Sequence, residues 1–123
     1  MSADDARSFY EQSPSRMSRA KAALPDAVKG FHALFQSVMK DGELGVREKE
    51  LIALAIGMAL RCDPCVYAHV QKARQHGATR EQILEAAGVV VMMQGGPAYT
   101  YLPKVVAALD ALEAQATTGG AAA

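Results

Sequence analysis

From Pro25 onward the apolar residues of this chain recur every three or four positions, and no segment sustains the alternation that a strand requires. That period admits helices and little else. Ala27, Val28, Phe31, Leu34, Phe35, Val38 and Met39 form one stripe after Pro25, whose fixed φ suits the first turn of a helix. Asp41-Gly42 ends this segment near Lys40. A second helix runs from about Val46 to Leu60, with Arg47, Glu48, Lys49 and Glu50 crowded into its first turn. A third begins near Pro64 and stops at His76-Gly77, where the glycine serves as a C-cap. Thr79-x-x-Gln82 is a capping box for a fourth. Gln94-Gly95-Gly96-Pro97 separates it from a last helix striped by Tyr101, Leu102, Val105, Val106, Leu109 and Leu112. The sequence predicts an all-α bundle of about five to six helices.

With 123 residues the chain is long enough for one core and one domain. Residues 1–22 are polar with little period and read as a partly ordered arm, with a helical turn near Ala3–Glu11. Residues 23–115 read as the helical domain, and the small, low-complexity residues 116–123 as a disordered tail. Ile83 to Met93 is apolar on nearly every side, and a helix of that kind must be covered all round. Subunit contacts are the natural cover in a chain of this size, so a homo-oligomer is expected. Thirteen basic and thirteen acidic side chains cancel, which argues against nucleic acid or an anionic membrane as partner. The N-terminal residues lack an apolar h-region, and the longest apolar run, Leu51 to Leu60, is about half a bilayer span. A cytoplasmic protein that does not enter the membrane is expected.

The chemistry is concentrated in Cys62-Asp63-Pro64-Cys65-Val66-Tyr67-Ala68-His69, which holds both cysteines and one of the three histidines. Pro64 puts the two thiols at a helix N-terminus, where the dipole and free N–H groups favour a thiolate. Asp63 opposes this by like-charge repulsion unless its carboxylate is occupied as the N-cap. His69 follows Cys65 by four residues, on the same face, and can take up its proton. Glu50 is the last charge before the apolar run. If the helices on either side of Arg61–Asp63 pack antiparallel, Glu50 lies about 7.5 Å along the axis from the level of His69, within reach of two long side chains. A relay Glu50–His69–Cys65 follows. A metal site is the competing reading: Cys62, Cys65 and His69 supply three ligands, and Glu50 or His76 could be the fourth. The thiol–disulfide reading is preferred, with no metal and no cofactor. Tyr67, Tyr99 and Tyr101 read as core aromatics, and His32 and His76 as residues without a functional partner.

Glu50, eleven residues, and then Cys62-x-x-Cys65-x-x-x-His69 resembles the signature of the alkylhydroperoxidase D-like, or carboxymuconolactone decarboxylase, family. The resemblance spans about Leu44 to Leu109, including the Gly95-Gly96-Pro97 break. It implies an all-helical fold assembling as trimers or hexamers, with sites near subunit boundaries. It also implies a catalytic set of Glu50, Cys62, Cys65 and His69. Thiol-bearing members reduce hydroperoxides, or relay electrons from a dithiol donor such as a lipoyl group. Some of their peroxidases carry a histidine directly before the second cysteine; here that position is Pro64. Members that decarboxylate a lactone lack the cysteine pair. The expectation is a thiol-dependent peroxidase. An electron relay or metal-binding module is the first alternative, and an enzyme acting on a small lactone the second.

Overall fold

The computed structural model describes residues 3–119. Among these there is no strand, and the chain runs α1 (Ala3–Ala23), α2 (Pro25–Val38), α3 (Val46–Ala59), α4 (Asp63–Gln75), α5 (Arg80–Gln94), the single turn α6 (Gly96–Tyr99) and α7 (Leu102–Gly119). None of these helices is long and apolar enough to cross a membrane.

Local chemistry sets the boundaries. Pro25 opens α2, and α3 starts where the Asp41 carboxylate accepts the Val46 N–H at 2.9 Å. The capping box of α5 is fully formed, with the Gln82 N–H on Thr79 Oγ1 at 3.1 Å and the Thr79 N–H on Gln82 Oε1 at 2.9 Å. Helix α4 ends in a Schellman motif: Gly77 has φ +94°, its N–H bonds Arg74 O at 3.2 Å, and the Ala78 N–H bonds Ala73 O at 2.9 Å.

Helices α3 and α4 form the central antiparallel pair, against which α1, α5 and α7 pack. Leu54 and Met58 of α3, Val66 and Val70 of α4, Ile83 of α5, and Val105 and Leu109 of α7 are fully buried where these helices meet.

Two sequence expectations need correction. The expected loose arm is the 21-residue helix α1. Only its first third packs: Ala6 and Tyr10 are buried, Phe9 and Tyr10 pack edge-on, and the Tyr10 phenol donates to the Tyr67 carbonyl at 2.7 Å. These contacts anchor a helix whose remaining length, through Pro14 to Ala23, is exposed and carries no apolar period. The expected tail is likewise helical as far as Gly119, because Ala111 and the half-buried Leu112 hold α7 on the core; residues 120–123 lie outside the described part.

The amphipathic helix expected after Pro25 is present, but its stripe is not core. No residue of α2 is buried, and Phe31, Leu34 and Val38 are each more than half exposed. Helix α5 buries Ile83, Ala87 and Val90 but leaves Val89, Met92 and Met93 open, and α3 leaves Ile52 and Ile56 open. Tyr67 is in the core as expected, whereas Tyr99 is largely exposed.

Candidate active site

The link between α3 and α4 contains only Leu60, Arg61 and Cys62, and it is a second Schellman motif. Arg61 takes the left-handed conformation (φ 54°), its N–H bonds Met58 O at 3.0 Å, and the Cys62 N–H bonds Gly57 O at 2.9 Å. One residue thus closes one helix and opens the next. Cys62 is the N-cap of α4, and its sulfur accepts the Cys65 N–H at 3.3 Å. Asp63 and Pro64 occupy the first turn. The two cysteines are joined as a disulfide, their Cα atoms 5.3 Å apart.

Close approach of α3 makes this possible. A Cβ added to Gly57 would stand 2.7 Å from the Cys65 Cβ. The space that the missing side chain of Gly57 provides is taken by Cys65.

Glu50 is buried in the first turn of α3, and its Oε1 lies 2.6 Å from His69 Nδ1. No bridging water is needed across the expected axial offset. A carboxylate can only accept, so Nδ1–H donates and Nε2 is left to accept or deliver a proton. His69 stands one turn beyond Cys65 on α4. The structure therefore brings Glu50 and His69 into direct contact and Cys62 and Cys65 into a bond, with both pairs on the α3–α4 hairpin. Among the described residues, no three His, Cys, Asp or Glu side chains are grouped to hold a metal ion. His76, the other expected fourth ligand, caps the far end of α4.

Four residues around the site fall outside the functional reading of the sequence. Phe35 of α2 lies parallel to the His69 imidazole at 6.5 Å between centroids, and Lys72 stands 4.9 Å from the centre of the Phe35 ring. Lys49 fixes the end of α2, donating to Val38 O at 2.8 Å and Lys40 O at 2.6 Å. Lys104 of α7 donates to Asp63 Oδ2 at 2.8 Å, so the Asp63 carboxylate is ion-paired rather than serving as the N-cap. Burial alone would lower the Lys104 pKa. It is outweighed by the hydrogen bond to Asp63 and by the charges of Tyr67, Asp63 and Asp5, which hold the ammonium above its ordinary value. Burial raises the Tyr67 phenol, against the pull of Lys104, and raises that of Tyr10 far above its usual range.

Comparison with known proteins agrees with this architecture. The sequence profile of the carboxymuconolactone decarboxylase family matches residues 25–114. An uncharacterised protein of the cox locus of Paracoccus denitrificans is 44% identical over 96 residues, covering 78% of this chain and 84% of the relative. An uncharacterised protein of Cupriavidus necator is 40% identical over 92 residues, covering 75% and 81%. Among solved structures, the apo form of a carboxymuconolactone decarboxylase family protein from Legionella pneumophila superposes with a TM-score of 0.78 at 34% identity, covering 89% of this chain and 96% of that one. A Thermotoga maritima member of the family, for which a part in the antioxidative response has been suggested, superposes with a TM-score of 0.74 at 30% identity, covering 87% and 92%.

Proposed function

The chain belongs to the carboxymuconolactone decarboxylase family, and from that premise we propose that it is a thiol-dependent hydroperoxidase. The observation that carries this reading is the hydrogen bond at 2.6 Å from Glu50 of α3 to His69 of α4, the helix whose N-terminus bears the bonded pair Cys62 and Cys65. A dithiol at a helix N-terminus with a paired imidazole one turn away suits peroxide reduction.

In this mechanism His69 Nε2 takes the Cys65 proton and the thiolate attacks the outer oxygen of the hydroperoxide. The O–O bond breaks, Cys65 becomes a sulfenic acid, and the alkoxide leaves as the alcohol with the proton from His69. The Cys62 thiol then displaces hydroxide, forming the disulfide and water. Two electrons pass from the thiol pair to the peroxide, and an external dithiol of the lipoyl type restores the reduced pair.

The test is hydroperoxide consumption by the metal-free protein with dihydrolipoamide as donor. Turnover is expected in wild type and absent in Cys65→Ser. Cys62→Ser is expected to accumulate a sulfenic acid that dimedone traps on Cys65. A disulfide that cycles without consuming peroxide favours an electron relay. Turnover of a small lactone that survives loss of both cysteines would move the assignment to decarboxylase-type chemistry.

The active form in this reading is a homotrimer or homohexamer. Phe31 and Leu34 of α2, Ile56 of α3, and Met92 and Met93 of α5 stand open on the single chain, and apolar side chains of this size are what subunit contacts cover. Light scattering on the purified protein is expected to give three or six times the 13.0 kDa chain mass. A monomer at micromolar concentration would refute the assembly.

A further inference from the structure

The thiol pair has a charged neighbour that the proposed chemistry does not use. Asp63 follows the N-cap Cys62 directly and precedes Cys65 by two residues. A carboxylate there opposes thiolate formation at either sulfur and offsets the favourable field of the helix N-terminus. Lys104 meets it from α7 at 2.8 Å. The two partners differ in setting: the Lys104 side chain is 12% exposed and that of Asp63 42%. The lysine is therefore held by the protein, and its ammonium stands 5.6 Å from the centre of the Tyr101 ring. An ion pair open to solvent on one side adds little to stability. Its larger consequence falls on the adjacent sulfurs.

We propose that Lys104 is a positioning residue for the redox pair, which neutralises Asp63 and thereby sets the acidity and reduction potential of Cys62 and Cys65. The proposal rests on the thiol-redox reading of this site. It requires no new chemical step, only the loss of a proton from Cys–SH to give Cys–S⁻. The ionisable groups around Lys104 are Asp63 and Tyr67 on α4, Asp5 on α1, and Tyr101 in the turn before α7. The other ionisable groups near the cysteines along the hairpin are Arg61 in the link and His69 on α4, to which Glu50 of α3 is hydrogen-bonded. Among all of these, Asp63 is the only carboxylate lying between the two thiols in sequence, and Lys104 is its ion-pair partner.

The experiment is a thiolate titration of the reduced protein by ultraviolet absorbance, with a parallel equilibration against a dithiol buffer. Neither step involves peroxide. Lys104→Met keeps the apolar stem and removes the charge. It is expected to raise the lower thiol pKa by about one unit, and to make the disulfide harder to reduce by up to about tenfold at a pH above that pKa, where reduction yields the thiolate. Lys104→Arg is expected to restore both values. Asp63→Asn alone is expected to lower the thiol pKa, and in the Asp63→Asn background Lys104→Met should cause less than half its wild-type shift. No shift in Lys104→Met, or the same shift with and without Asp63, overturns the proposal. If Lys104→Met does not fold, Asp63→Asn decides, and a thiol pKa that is unchanged or raised has the same meaning. Failure of the peroxidase reading is distinguishable, because it leaves these titrations intact and removes only turnover.

Discussion

Replacing His69 by asparagine is expected to leave the fold intact and to lower hydroperoxide turnover about 10²–10⁴-fold, the range that positioned proton transfer contributes. The Asn amide nitrogen stands close to where Nδ1 of the imidazole stands, so it can still donate to the buried Glu50 carboxylate, which His69 Nδ1 meets at 2.6 Å. What is lost is the second ring nitrogen, the atom that would exchange a proton with Cys65. Alanine is the informative contrast. With the Glu50 side chain 2% exposed, His69→Ala removes the partner of a buried carboxylate, costing about 1–3 kcal/mol or more in addition to the rate. Thermal unfolding and steady-state peroxide consumption of the two variants separate the effects. If His69→Asn turns over within a few-fold of wild type, the histidine is a structural partner of Glu50 and the proton acceptor must be sought elsewhere.

The second large effect is expected at Gly57. Alanine there would place its Cβ 2.7 Å from the Cys65 Cβ, 3.5 Å from the Cys65 carbonyl carbon and 3.6 Å from the Val66 nitrogen. None of these atoms is the free end of a flexible side chain, so the strain cannot be relieved by a rotamer change. The helices must part where α4 begins. Alanine gains up to about 1 kcal/mol of helix propensity over glycine, while overpacking of this kind costs about 1–3 kcal/mol. Net destabilisation of about 1–2 kcal/mol is expected, measured by denaturant unfolding of the oxidised protein. The disturbance should also reach the redox pair, since Gly57 O accepts the Cys62 N–H in the turn that joins the helices. Unchanged or increased stability would mean that propensity wins and that α3 and α4 are not in close contact at Cys65.

Both effects depend on a hairpin whose parts were largely legible in the sequence. Helix type, the capping box Thr79–Gln82, the glycine stop at Gly77 and the placing of both cysteines at the N-terminus of α4 are local properties. Each depends on residues a few positions apart, so reading the sequence suffices. The neighbourhood of Glu50 and His69 was also legible, because a three-residue link leaves α3 and α4 little choice but to pack antiparallel.

What escaped the sequence lies across long separations. Helix α1 is polar along most of its length, and it takes its place through Tyr10, which reaches 57 residues ahead to the carbonyl of Tyr67. The pairing of Lys104 with Asp63 spans 41 residues, and each side chain alone reads as an ordinary surface charge. The stripe of α2 shows the opposite failure. Its period marks an apolar face correctly but does not say what the face meets, and on the single chain most of it meets solvent. Periodicity, caps and turns are set by short-range sterics and hydrogen bonds, so the sequence by itself determined the helices from Pro25 onward and the thiol pair at a helix N-terminus. Which charge neutralises Asp63, which aromatic ring faces His69 and how closely Gly57 lets α3 approach Cys65 were decided by tertiary packing, because those partners meet only after the helices have docked.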